Sequence, residues 1–179
     1  MPGYPGLAPS CSAMTSSLFS KLAQRIAGIQ GERYPLHIGD TYLLPAAGCR
    51  VEDIRAEDVD GLNRYANPQG HPALLEAICE RRGLSDPSRV LATTGATGAL
   101  DAIAGALLAP GDEVLVLAPY WPLIRGIVTA SGGRAIDVPF YDRLQGTDQD
   151  VELVRESLQP FLSARSAAIY VNTPNNPTG

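Results

Sequence analysis

Lysine is almost missing from this sequence. Lys21 is the only one, and arginine supplies the rest of the 14 basic residues. Basic residues are outnumbered by 19 acidic ones, the net charge is -5, and no block of like charge occurs. Nucleic acid and anionic membrane both need a basic face, so neither is expected as a partner. Long hydrophobic runs are missing as well, which excludes a helical membrane span. The first residues, Met1 to Thr15, have neither a basic n-region nor an apolar h-region, so no secretory signal is expected there. Cysteine is scarce and odd in number: Cys11, Cys49 and Cys79 match no metal-binding spacing. They read as thiols of a reducing compartment, which predicts a cytoplasmic protein. His37 and His71 stand far apart with no Cys or His neighbours, so no metal site is expected.

What is present is globular. The 179 residues are 45% hydrophobic and 18% charged, enough for a domain with a real core. Met1 to Thr15, rich in Pro, Gly and Ser, reads as a flexible arm. Leu18, Phe19, Leu22, Ile26 and Ile29 share one side of a helix over 16–29, capped by Ser16 or Ser17 and ended by Gly28 or Gly31. Residues 34–40 read as a short extended piece, and 41–70 as an irregular stretch wrapping the surface. Pro72 suits the first position of a helix that Gly83 ends.

From residue 89 strands and helices alternate. Strands are predicted at 89–93, 113–117, 134–138 and 167–171, and helices at 97–108, 121–131 and 151–162. Short connections between them predict parallel strands in a doubly wound α/β sheet.

Three segments at predicted strand ends could carry chemistry. Thr93-Thr94-Gly95-Ala96-Thr97-Gly98-Ala99 leads a strand into an apolar helix. Small residues at a helix N-terminus form a phosphate cup, to which Thr94 or Thr97 could add a hydroxyl; a tight turn with a capping threonine is the plainer reading. The lysine of a P-loop and the third glycine of G-x-G-x-x-G are absent. Ala118-Pro119-Tyr120-Trp121-Pro122 holds the only tryptophan, suited to stacking on a planar ligand or to packing as a helix-start anchor. The strand Ala167 to Val171 stops at Asn172-Thr173-Pro174-Asn175-Asn176-Pro177-Thr178-Gly179, and each proline biases its predecessor toward an extended backbone. Loops at carboxyl strand ends are where open α/β sheets bind ligands. Together the three suit a flat, phosphorylated, aromatic ligand. In Asn63 to Gly70, Tyr65 beside Arg64 reads first as surface, and Gly39 reads first as a turn residue.

Five strings in order carry a resemblance: Arg64 to Leu74 (RYANPQGHPAL), Thr94 to Leu100 (TGATGAL), Pro110 to Val114 (PGDEV), Pro119-Tyr120-Trp121, and Asn175 to Gly179 (NNPTG). Over residues 29–179 the sequence resembles the class I/II pyridoxal-phosphate-dependent aminotransferases, the fold type I family related to aspartate aminotransferase. That resemblance implies an α/β fold with a mostly parallel sheet, incomplete here, behind an N-terminal helical and irregular segment. It implies an arm and helix over 1–30, an irregular segment and helix over 31–88, and a partial cofactor-binding large domain over 89–179. The implied cofactor is pyridoxal 5'-phosphate. Gly95, Ala96 and Thr97 would hold its phosphate, Trp121 would stack on its ring with Tyr120 the lesser candidate, and Asn176 would donate to the ring 3-oxygen and face the substrate carboxylate. Tyr65 would reach across a dimer interface to the neighbouring subunit's phosphate, and Gly39 would line the substrate side.

The implied reaction moves an amino group between an amino acid and a 2-oxo acid, in a homodimeric parent. The family's Schiff-base lysine follows the Asn-Pro-Thr-Gly loop, as do its pyridine-facing aspartate and its substrate-clamping arginine; Lys21 stands at no matching position. The chain therefore reads as an N-terminal portion without catalytic residues of its own and inactive alone. Other members of the same fold type, C–S lyases and aminocyclopropane-carboxylate synthase-like enzymes, share these strings. A non-catalytic module binding a phosphorylated ligand or a partner subunit is the alternative from another class. Regulators that fuse a DNA-binding helix-turn-helix to this fold are set aside, because the roughly 30 residues ahead of the resemblance are not basic.

Overall fold

A computed structural model describes residues 6–12, 18–32, 34, 39, 41, 43–58, 60–143 and 151–179. By its backbone contacts the chain divides into two units, residues 26–93 and residues 1–25 with 94–179.

The second of these holds the sheet. Strand β1 (Glu113–Ala118) lies between β2 (Arg134–Pro139) and β3 (Ser166–Tyr170), in the order β2-β1-β3, and both pairings are parallel. A parallel strand needs cover on both faces, which explains the unbroken apolar run Val114-Leu115-Val116-Leu117. Leu115 and Val116 are fully buried, each on a different face. On one face Val114 and Val116 pack with Ile124 and Val128 of α5 (Leu123–Ala130), joined by Leu100 of α4 (Gly95–Leu107). On the other, Leu115 and Leu117 pack with Val138 and Phe140, joined by Val154 and Leu158 of α6 (Val151–Leu158). Helices thus cover both faces of the parallel sheet, as the alternating pattern predicts. At the amino edge Glu113, nearly buried, accepts from the Ser163 hydroxyl at 2.5 Å and from Arg134 Nη1 at 3.3 Å, beside a register shift between β1 and β3.

α4 is the most apolar helix, yet no residue in it is fully buried. Ile103 and Leu107 are exposed, and with Leu100, Val114, Ile169 and Tyr170 they line an open apolar cavity of about 180 Å³.

In the other unit, α3 (Pro72–Arg82) has its expected bounds. Pro72 opens it, and Gly83 closes it in the left-handed conformation (φ 65°), its N–H donating to Cys79 and Glu80 carbonyls. Leu75 and Cys79 are the buried pair, and Leu74 is half exposed. The stretch 43–58 contains only two 3-10 turns, Val51–Asp53 and Ala56–Asp58.

Several elements differ from expectation. The strand predicted at 89–93 is not one. Val90 is extended, but the partners of this segment come from Gln69: its Nε2 donates to the Val90 carbonyl at 2.7 Å, and its carbonyl accepts from Ala92 N at 2.8 Å. The arm contains one helical turn, α1 (Pro9–Ser12), which touches α5. The helix predicted over 16–29 is α2 (Leu18–Ala27), with Leu22 and Ile26 half buried. Its proposed serine caps, and most of the extended piece 34–40, lie outside the described residues. The α6 helix stops at Leu158 and tightens into a 3-10 turn, Gln159–Phe161, because Pro160 has no N–H for an α-helical bond. No helix among the described residues is long and apolar enough to cross a membrane.

Leu115→Ala is expected to lower the unfolding free energy by about 2–5 kcal/mol in urea denaturation, against less than about 1 kcal/mol for Leu123→Ala, whose side chain is half exposed. Gly70 has φ 135°, and a Cβ there would stand 2.8 Å from Ala92 Cβ. Gly70→Ala is expected to cost more than about 1 kcal/mol and to speed amide exchange in α3 while leaving β1 protected.

Candidate functional site

Parallel pairing sends the chain out of β1 and β3 at the same edge of the sheet. α4 reaches that edge from the other direction. Its last turn leads to Leu108, whose Cδ1 lies 3.0 Å from where a Cβ on Gly133 would stand, at the start of β2. The C-terminus of α4 is therefore at the amino edge, and its N-terminus points to the carboxyl edge.

Gly95, Ala96 and Thr97 are the first three residues of α4, not a loop before it. All three are exposed. Gly95 has φ 72°, and a Cβ there would meet nothing within 4 Å, so the backbone angle and not crowding favours glycine. Thr94 precedes them at the cap position and makes no side-chain capping hydrogen bond. By helix geometry the first-turn N–H groups of Ala96 and Thr97 have no partner within the helix and point out of its positive end.

Pro119, Tyr120 and Trp121 follow β1. Trp121 is half buried against the Val114, Val116, Ile124 and Val128 cluster, and its carbonyl accepts from Ile124 N at 3.3 Å as α5 begins. Tyr120 turns its hydroxyl to β2, donating to Asp137 Oδ1 at 2.7 Å, while Arg125 Nη1 donates to the phenol oxygen at 3.1 Å and also binds Asp137. Burial first, and the bond to Asp137 second, hold the Tyr120 phenol above its ordinary pKa. The ring is thus neutral and its hydroxyl already engaged.

After β3 the loop divides its two adjacent asparagines. Asn175 is 5% exposed. Its Nδ2 donates to the Pro119 carbonyl at 3.0 Å and to Thr178 Oγ1 at 2.8 Å. Asn176 is exposed. Tyr141 braces the loop from the side, its hydroxyl donating to the Asn172 carbonyl at 2.9 Å. The structure therefore joins the Trp121 turn and the Asn176 loop directly. Tyr65 and Gly39 belong to the other unit, where both are exposed, Tyr65 fully. Neither Thr97 nor Asn176 lines the apolar cavity beside α4, which is a separate feature.

Sequence reasoning missed Asn175, Tyr141 and the Tyr120–Asp137–Arg125 cluster. One signal could have found Asn175. Pro119, Pro122, Pro174 and Pro177 remove four backbone donors from two adjoining loops, so side-chain donors gain weight as partners for the carbonyls there.

Comparison with known proteins gives the family. Over 124 residues the chain is 41% identical to a probable aspartate/prephenate aminotransferase of Thermus aquaticus, covering 66% of this chain and 31% of that protein. Over 167 residues it is 33% identical to a probable N-succinyldiaminopimelate aminotransferase of Mycobacterium tuberculosis, covering 89% of this chain and 39% of the relative. A solved aspartate aminotransferase of Thermus thermophilus, a single mutant, superimposes with a TM-score of 0.76 at 32% identity, covering 98% of this chain and 46% of that one. The chain thus spans less than half the length of these relatives. The family model for aminotransferase class I and II matches residues 35–179, nearly everything from the extended piece to the last loop, and on that match the chain belongs to the class I and II aminotransferases.

Proposed function

We propose that this chain supplies the phosphate, ring and 3-oxygen contacts of a pyridoxal-phosphate-dependent aminotransferase, which moves an amino group between an amino acid and a 2-oxo acid. The observation that carries the reading is the direct bond from Asn175 Nδ2 to the Pro119 carbonyl, 3.0 Å, which ties together two of the three ligand-facing segments at the carboxyl edge. The donor chemistry fits the cofactor. Segments 93–99, 118–122 and 172–179 contain amides, hydroxyls, carboxamides and an indole but no carboxylate to repel a phosphate. When bound, pyridoxal 5'-phosphate supplies an electron sink for charge left on the substrate α-carbon.

The chain's own residues bind and orient. Gly95 lets the backbone turn into α4, and the Ala96 and Thr97 amides with the Thr97 hydroxyl receive the phosphate. Trp121 offers its indole face to the ring, and Asn176 donates to the 3-oxygen and faces the substrate carboxylate. Gly39 lines the substrate side. Tyr65, fully exposed, supports a homodimer in which it reaches the phosphate held by a second copy. Cys11, Cys49 and Cys79 are all free thiols, which supports a cytoplasmic setting. Relatives 26% to 39% identical are named for aspartate/prephenate, kynurenine–oxoglutarate and N-succinyldiaminopimelate, so the substrate is proposed at the level of class only.

Trp121 is the only tryptophan, so its emission reports on the site. Pyridoxal 5'-phosphate is expected to quench it at concentrations at least about tenfold lower than pyridoxal, and Thr97→Val is expected to weaken the phosphorylated ligand by about tenfold. Equal binding of the two ligands would contradict the phosphate assignment. The 179-residue chain by itself is expected to show no transamination in a coupled assay, and borohydride treatment with the cofactor should fix nothing on Lys21, its only lysine. Labelling of Lys21, or turnover by this chain, would sink that expectation.

A further inference from the structure

We infer that Asn175 is a positioning residue, whose carboxamide couples the turn carrying Trp121 to the loop carrying Asn176. This rests on the proposed cofactor reading, although the coupling itself can be tested without cofactor.

Three observations set Asn175 apart from its neighbour. It is 5% exposed, whereas Asn176 is open to solvent. Its hydrogen-bonding groups are taken up internally: Nδ2 donates to the Pro119 carbonyl at 3.0 Å and to Thr178 Oγ1 at 2.8 Å, and Oδ1 accepts from Asn172 Nδ2 at 3.4 Å. Its own carbonyl accepts from Gly179 N at 2.7 Å, closing the turn that contains Asn176. A side chain so committed does not reach a ligand, so any effect on the site passes through what it holds.

What it holds is specific. Pro119 lies two residues before Trp121, and the bond to it spans 56 positions in sequence. The Pro119–Trp121 turn has other supports: the Tyr120 hydroxyl on Asp137 with Arg125 donating to it, the Trp121 carbonyl on Ile124 N, and the Trp121 ring on the Val114 and Val116 core. All of these come from β1, β2 or α5 and none from the Asn176 loop. Only Asn175 links the turn to the Asn176 loop among the described contacts of this edge. The chemistry of the position is narrow. A carboxamide nitrogen has two hydrogens for two acceptors and needs no charge. An aspartate would turn an oxygen toward the Pro119 carbonyl, and alanine would leave that carbonyl without its donor.

The test uses the near-ultraviolet circular dichroism of Trp121, its acrylamide quenching, thermal melting and pyridoxal 5'-phosphate titration, on the 179-residue chain. In Asn175→Ala and the isosteric Asn175→Asp, the ligand-free Trp121 dichroism band is expected to fall by more than half. Acrylamide access should roughly double, and cofactor affinity should drop about tenfold. Arg134→Ala, which breaks the ion pair with Glu113 at the opposite edge, should lower the melting temperature and leave the Trp121 signals unchanged. Unaltered Trp121 signals in folded Asn175 variants overturn the inference. If both variants fail to fold, Asn175→Gln, which keeps a carboxamide but displaces it from the Pro119 carbonyl, takes their place, and an unaltered Trp121 signal there overturns it equally. Loss of the Trp121 band in variants of a chain that binds no cofactor would remove the proposed function and leave the coupling standing.

Discussion

The burial of β1 on both faces and its parallel pairing on both edges constrain the rest of the sheet-bearing unit. Leu115 and Val116 are fully buried and point to opposite sides, so neither α5 nor α6 can be lost without exposing half of the core. Parallel strands lie about 4.8 Å apart, and their following loops leave side by side. That is how Pro119 and Asn175 meet although two helices and two strands separate them in sequence. The constraint also sorts chemistry by edge. The buried carboxylate Glu113 and its arginine stand at the amino edge, away from the proposed site.

The loops at the carboxyl edge have a second constraint, the cost of their prolines. Proline fixes φ and stiffens a ligand-facing loop, but it removes the N–H that would pair with a nearby carbonyl. An unpaired buried carbonyl costs about 1–3 kcal/mol. In this chain side chains replace the missing donors: Asn175 serves the Pro119 carbonyl and the Tyr141 hydroxyl serves Asn172. Rigidity and polar satisfaction are thereby joined in one feature. The same residues that stop the loops from moving also prevent them from being under-bonded.

Elements whose cause is local were legible in the sequence. Pro72 and Gly83 bracket α3 because a missing N–H suits one helix end and a left-handed residue suits the other. The strand β1 announced itself through an apolar run that only two-sided burial explains. Features with a distant cause were not legible. Residues 90–93 have strand-like composition, but a strand is defined by its partner, and here the partner is the side chain and carbonyl of Gln69. The start of α4 was placed two residues late because glycine and threonine score poorly as helix formers, although Gly95 enters the helix through its backbone angle. Asn175 and Asn176 are adjacent and identical in type. Nothing in a linear string says which one turns inward, since the deciding acceptor is 56 residues away.

Segments 93–99, 118–122 and 172–179 contain no charged residue of either sign. Under the proposed reading, a doubly charged phosphate is met there by amide dipoles at the start of α4 and by a hydroxyl. Such donors are held by the backbone and need no reorganisation when the ligand arrives, whereas a flexible ammonium would have to be ordered and desolvated. Arg125 of α5, which reaches the Trp121 turn through Tyr120, is already bound to Asp137 and Tyr120. Its guanidinium is thus engaged and does not offer charge to a ligand, while burial and Asp137 keep the phenol beside the indole neutral. A site built this way depends on the exact placement of neutral groups. That makes the inward asparagine as consequential for the proposed chemistry as the outward one.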